Sequence, residues 1–375
     1  MHRLVIILLL LMVVIALSLF AENNGPVASP TFNGSSQKLK HTQVVPVMES
    51  AVQEGANIVW CASFLSAWKL LEQDSADGPI LLNGSQETVS LLNKARDPRP
   101  DLPDQSQYLA IGRKQDGIEL KIKADLKKLF PAKPAPMFSG AADALIVYSY
   151  LESSIKFTLP YFQNNKPLEF SDFQGQKTKV RSFGIRPEDD YAYYKLRAQP
   201  RILFRKPWPD GEENLEFAID LCAGSSPSQI VVARIKREAT LAAAIRRVEK
   251  ECAQYEALKK KSPGRSDLFE RIGPNDVLLV PDLFWKVSHR FSELEGKRFA
   301  NAKLKGQPLM IAQQDISFRL DRGGAELQSE AKMVCAPIPT YFVFDRPFLI
   351  YMKKRNAKEP YFAMWVENAE LLSGW

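Results

Sequence analysis

Histidine is nearly missing: three residues in 375, and one of them, His2, sits at the start of the chain. Neither His41 nor His289 accompanies a Gly-x-Ser-x-Gly elbow or another nucleophile motif, so a Ser-His-Asp hydrolase has no support. Phosphate-cradling glycine loops are lacking too, because the pair Gly323-Gly324 follows a strand-like run but opens no helix. The four cysteines, Cys61, Cys222, Cys252 and Cys335, are widely spaced without a CxxC pair. This spacing removes zinc-ribbon and thioredoxin-type chemistry, and no metal or other cofactor is expected. Carboxylate pairs such as Asp189-Asp190 and Glu212-Glu213 stand in polar, turn-like stretches and read as solvated surface. Internal repeats are absent, which sets solenoids and propellers aside. These absences describe a protein that is not an enzyme.

What is present is average in amount and informative in arrangement. A hydrophobic fraction of 45% with 25% charged residues suits a folded chain with a sizeable core. Lysine and arginine exceed the acids by 50 to 43, a modest excess spread along the chain. Lys259-Lys260-Lys261 reads as the solvated end of a helix, while Lys121, Lys123, Lys127 and Lys128 form a group that could meet an anionic surface ligand. No aromatic platform is interleaved with that second group, so nucleic acid is not an expected partner. Leu4 to Phe20 is continuously apolar and is followed by Ala21 and a polar stretch. The run lies between the core of a signal peptide and the roughly 20 residues of a spanning helix, so cleavage after Ala21 and an uncleaved anchor both stay open. Residues 1–21 are therefore read as signal or anchor, 22–43 as linker and 44–375 as one domain, secreted or anchored on the extracytoplasmic side. Membrane contact is expected only through residues 4–21, and the protein as a monomer.

Along the domain, Val44 to Val52 reads as a short helix, and Phe64, Trp68 and Leu71 share one helical face. Gly84 to Pro103 reads as a surface excursion and Leu120 to Phe130 as a helix ended by the Pro/Ala segment after it. Ala144 to Leu151 reads as a central strand buried on both faces. Leu215 to Leu221 alternates at period two and should pair with Ile230 to Ile235. Ala239 to Lys261 is the strongest helix. Asp276 to Pro281 is a strand, with a helix-like run to Leu294 behind it. Alternation returns at Ile316, Phe318 and Leu320, and the chain closes with a hairpin of Tyr341 to Met352 and Tyr361 to Val366.

This order carries a resemblance. Asn57-Ile58-Val59-Trp60-Cys61-Ala62-Ser63 is similar to the serpin segment in which a short strand enters a helix. Asp315 to Ala331, with Asp321, Gly324, Ala325 and Glu326, resembles the strand and hinge that precede the serpin reactive loop. Phe344-Asp345-Arg346-Pro347-Phe348 and Tyr361 to Asn368 resemble the family's last hairpin. The resemblance implies an α+β fold of three β-sheets surrounded by eight or nine helices. It also implies an endopeptidase inhibitor that works without catalytic residues: a serine or cysteine protease cleaves the loop, which then inserts as a strand. The hinge would comprise Gly323, Gly324, Ala325, Glu326, Leu327, Ser329 and Ala331. The reactive loop, about 332–339, would include Val334, Cys335, Ala336, Pro337 and Ile338. Counting from the hinge places the scissile position near Ile338, and counting back from Pro347 near Ala336, so the loop is about two residues short. The family's polar cluster controlling sheet opening is altered to Cys61, Phe64, Val147 and Gln314. A non-inhibitory binding protein of the same fold at the cell envelope is the alternative.

Overall fold

The sequence alternates short extended runs with a few amphipathic stretches, and the chain path follows. A computed structural model describes residues 29–76, 78–84, 86–131, 135–138, 140–186, 195–207, 215–224, 228–261, 270–323 and 340–375. Contacts divide the chain into Met1–Pro30 and Thr31–Trp375, and the second unit is the one described below. In chain order it forms β1 (Phe32–Ser35), β2 (Thr42–Val44), β3 (Asn57–Cys61), α1 (Ala62–Leu71), α2 (Gln86–Lys94), β4 (Gln107–Arg113), α3 (Ile118–Leu129) and β5 (Leu145–Leu151). Next come β6 (Phe162–Gln163), β7 (Leu168–Ser171), β8 (Lys177–Val180), β9 (Ser182–Ile185), β10 (Arg201–Pro207), β11 (Leu215–Asp220), β12 (Ser228–Arg234) and α4 (Leu241–Lys260). The remainder is β13 (Val277–Pro281), β14 (Leu283–Arg290), β15 (Gln313–Leu320), β16 (Tyr341–Val343), β17 (Phe348–Lys354) and β18 (Phe362–Val366).

A seven-stranded sheet, β10-β11-β12-β17-β18-β3-β2, forms the centre. Its inner strands are apolar on both sides: every residue of β18 is buried, as the period-free run Phe362-Ala363-Met364-Trp365-Val366 requires. The expected pairing of β11 with β12 and the closing hairpin of β17 with β18 are both present. The three-stranded sheet β1-β14-β15 packs on this centre through Trp285, Phe318 and Phe362, with Phe318 stacked on Phe362 at 4.4 Å between centroids. A four-stranded sheet, β16-β13-β9-β6, and the pairs β4-β5 and β7-β8 complete the set. In the four-stranded sheet the close approach of β9 to β13 demands glycine, since a Cβ on Gly184 would fall 1.7 Å from Leu278 O.

Several expectations are corrected. Four α-helices occur among the described residues, not eight or nine. Val44 to Val52 is no helix: Val44 ends β2, Val45 N–H bonds to Val59 O, and the chain then bends and turns through residues 46–50, with Val45, Val47 and Met48 buried. The run after Pro281 is β14, with Leu283, Trp285 and Val287 buried and Phe284, Lys286 and Ser288 more exposed. Gly84 to Pro103 contains α2, which buries Val89 and Leu92. Strand β5 is half-buried, and among the described residues it has one ladder partner, β4, so there it is an edge and not a central strand. Tyr341 to Met352 divides between two sheets as β16 and β17. Residues 32–43, read as linker, contribute β1, paired with β14, and most of β2, paired with β3. Among the described residues no helix is long and apolar enough to cross a membrane. Leu4 to Phe20 lies outside them.

Candidate functional site

Helix α1 leaves β3 directly, with Cys61 still extended at its first turn and making no side-chain cap. Spacing of three and four residues puts Phe64, Trp68 and Leu71 on one face. Trp68 Nε1 donates to Asn93 Oδ1 at 2.9 Å, and Asn93 Nδ2 in turn donates to Ile80 O at 2.8 Å, so α2 fixes the ring. That face is the floor of a cleft of about 190 Å³ whose walls are β5, through Leu145, Val147 and Tyr148, and the start of β15 with Leu309 and Ile311 before it.

The walls do not pair with each other. Strand β5 bonds to β4 and β15 to β14, so in each strand the backbone groups on the cleft side have no ladder partner among the described residues. Such an edge can take up an additional extended chain. The described residues thus form five sheets, not the three that the resemblance implies.

One side chain fastens β15 to the floor. Gln314 is buried, and its Nε2 donates to Cys61 O at 2.9 Å and to Ser63 Oγ at 2.8 Å. Cys61 Sγ lies 3.6 Å from Ser63 Oγ, and burial pushes the Cys61 thiol above its ordinary acid range, which favours the protonated form. Burial, assisted by the nearby Asp315 carboxylate, raises the Tyr148 hydroxyl to about 12. His289, opposite Gln314 in the ladder, accepts or donates at Nδ1 to Ser36 Oγ at 2.7 Å, and burial lowers its basicity. Neither Ser36 nor His289 lines the cleft, and among the described residues no cluster of His, Cys, Asp and Glu could hold a metal ion.

Cys61, Phe64, Val147 and Gln314, named from the sequence, converge at this cleft. Of the hinge, Gly323 is placed: its φ is +48°, it follows β15, and its N–H donates to Asp321 Oδ1 at 2.8 Å. Arg322 before it exchanges bonds with Tyr161, through Tyr161 N–H to Arg322 O at 3.1 Å and Arg322 Nε to Tyr161 O at 2.9 Å. Gly324, Ala325, Glu326, Leu327, Ser329 and Ala331, and the loop residues Val334, Cys335, Ala336, Pro337 and Ile338, lie outside the described residues. The chain resumes at Thr340, whose N–H donates to Asp276 Oδ1 at 2.8 Å and whose O accepts from Val277 N–H at 3.0 Å. Sequence reasoning missed Ser63, Asn93 and Tyr148. Trp68 was legible on its helical face, but nothing in the sequence linked Asn93 to it.

No protein-family model matches the chain, and no curated protein matches it. Among solved structures it is similar to human glycosylated kallistatin, at 12% identity and TM-score 0.48, over 84% of this chain and 92% of that one. It is also similar to thyroxine-binding globulin in complex with thyroxine, at 12% identity and TM-score 0.46, over 83% of this chain and 92% of that one. The serpin Serpin48 of the insect Tenebrio molitor is similar at 10% identity and TM-score 0.43, over 85% of this chain and 92% of that one.

Proposed function

We propose that this chain is a serpin-like endopeptidase inhibitor, exported or anchored outside the cytoplasm, whose loop after Gly323 inserts between β15 and β5 once a protease has cut it. The carrying observation is that the strand leading into the loop borders a cleft with a strand edge on either side that has no ladder partner among the described residues. From Gly323 to Thr340 the chain runs through residues 324–339. At about 3.3 Å per extended residue, eight of them match the length of β15.

Alternation supports the same direction. Ala325, Leu327, Ser329, Ala331 and Met333 would face the floor, and Glu326, Gln328, Glu330 and Lys332 the solvent. Leu327 is larger than the family's hinge residues, and the floor it would meet is correspondingly apolar, with Phe64 and Val147 in place of polar groups. An enzyme activity is not part of this reading.

Incubation with chymotrypsin-like, elastase-like and cysteine proteases tests it. The expected product is an SDS-resistant complex, accompanied by a cleaved form that melts well above the intact protein. Clipped protein alone, melting where the intact protein melts, rejects trapping. One observation favours the alternative binding role: Lys121, Lys123, Lys127 and Lys128 are all exposed along α3. Retention on a polyanion matrix that falls with salt supports that role, and indifference to ionic strength rejects it.

A further inference from the structure

A second surface has a composition that neither reading uses. In β8 and the residue after it, Lys177, Lys179 and Arg181 are exposed while Val180 is buried, so period two lines three cations along the outward side. The segment Leu372–Trp375 runs back along them: Val180 bridges Gly374 in antiparallel sense, Arg181 N–H bonds to Ser373 O at 2.8 Å, and Trp375 N–H to Lys179 O at 3.4 Å. That register sets Trp375 directly opposite Lys179, which places both side chains on the same face. Trp375 is 57% exposed. Lys177 pairs with the exposed Glu169 at 3.2 Å, Arg181 approaches Asp282 at 3.6 Å, and Lys179 has no carboxylate partner among the described residues.

The chain enters the folded unit beside this face. Thr31 Oγ1 donates to Ser373 Oγ at 3.3 Å. Upstream, the apolar run ends at Phe20, and Ala21 to Pro30 is all that separates it from Thr31. Ten residues reach at most about 36 Å when fully extended. With the anchor retained, that tether lets Lys177, Lys179, Arg181 and Trp375 reach a bilayer, where an amphipathic indole settles among headgroups and lysine and arginine attract anionic lipid.

We propose that this face docks on the anionic headgroup surface of the membrane that holds Leu4–Phe20. The inference rests on the anchor being retained and is independent of protease trapping. The full-length protein, reconstituted into phosphatidylcholine vesicles with and without phosphatidylglycerol, tests it by quenching of tryptophan fluorescence with headgroup-proximal doxyl lipid. The Trp375 signal is isolated as the difference from Trp375→Phe, a substitution at an exposed site. Expected is quenching of Trp375 that appears with phosphatidylglycerol and fades at high salt. Each cation lost should lower the docked population roughly fivefold. The combined Lys177→Glu, Lys179→Glu, Arg181→Glu variant should therefore lose the quenching while still sedimenting with the vesicles. Equal quenching on both lipids, or in the triple variant, overturns docking, and so does a chain that does not sediment with vesicles. Soluble dextran sulfate that shields Trp375 from iodide as well as the vesicles do would assign the face to a polyanion in solution and overturn the lipid assignment.

Discussion

Gln314→Ala isolates the contact that ties one wall of the cleft to its floor. Its amide bonds to Cys61 O and Ser63 Oγ, and each bond contributes about 1 kcal/mol net. Truncating the buried side chain beyond Cβ adds roughly 1 kcal/mol for the space left behind. Against this, Oε1 is buried without a partner among the described residues, and removing it relieves roughly 1 kcal/mol of desolvation. The balance is a loss of about 2 kcal/mol. Unfolding entropy of about 2.1 cal/mol/K per residue, over the residues of Thr31–Trp375, comes to roughly 0.7 kcal/mol/K. Melting should therefore fall by about 3 °C in calorimetry. Gln314→Met keeps the volume and removes both the bonds and the orphaned oxygen, so it should fall between wild type and the alanine variant. An alanine variant melting within about 1 °C of wild type, or a methionine variant melting below it, would refute the assignment of Gln314 as a fastener.

The alternation after Gly323 predicts opposite outcomes at adjacent residues: Leu327→Asp should leave cleavage intact but abolish the rise in melting temperature that follows it, because a carboxylate would enter the apolar floor, while Gln328→Asp should preserve both cleavage and the rise. Equal behaviour of the two would exclude insertion in this register. Burial pushes the Asp282 carboxyl up to about 6, outweighing the bond from Gln163 and the pull of the partly exposed Arg181. The folded protein then binds the extra proton between about pH 4 and 6, so this group favours folding in acid and loses that contribution as pH rises, by about 3 kcal/mol at pH 7. Asp282→Asn should raise the melting temperature at pH 8 and leave it unchanged near pH 4, and a gain that is the same at both pH values counts against the shift. Gly184→Ala drives a methyl into Leu278 O and should cost about 3 kcal/mol, the upper end for overpacking; chemical denaturation with a shift under about 1 kcal/mol would show that β9 can move aside.

How far the fold was legible depended on whether local pattern and tertiary packing agreed. β11, β12, α4 and β18 carry patterns that packing reinforces, and each is found where it was read. β14 shows the opposite case: Leu283, Trp285 and Val287 alternate cleanly, but Phe284 between them blurs the period, and only the ladder to β15 decides for a strand. Helix α2 has few apolar residues, and its position is fixed by Asn93 bonding to Trp68 and Ile80, contacts no single-sequence pattern records. The early segment Phe32–Ser35 is polar and contains Gly34, so its composition says loop, and it becomes a strand because β14 offers an open edge.

The site was legible in a different sense. Four positions widely separated in sequence, Cys61, Phe64, Val147 and Gln314, were named as one cluster only through a resemblance, and the chain path brings them to one cleft. By the resemblance, Cys61 and Phe64 stand where serines would be, Val147 where an asparagine would be and Gln314, still polar, where a histidine would be, while Leu327 stands at a hinge position of small residues. Taken singly, the apolar replacements at Phe64 and Val147 and the bulk of Leu327 argue against strand insertion, since polar fastening and small hinge residues are what the resemblance implies. Under the proposed insertion they compensate, because a large apolar residue entering between β5 and β15 would need an apolar floor, and Phe64, Trp68 and Val147 supply it. A floor retaining buried hydroxyls and an asparagine amide would instead leave those groups unpaired against leucine, at about 1–3 kcal/mol each. The physical question is therefore whether the hinge and the floor changed as one unit, and the double variant Phe64→Ser with Leu327→Thr should preserve insertion better than either change alone.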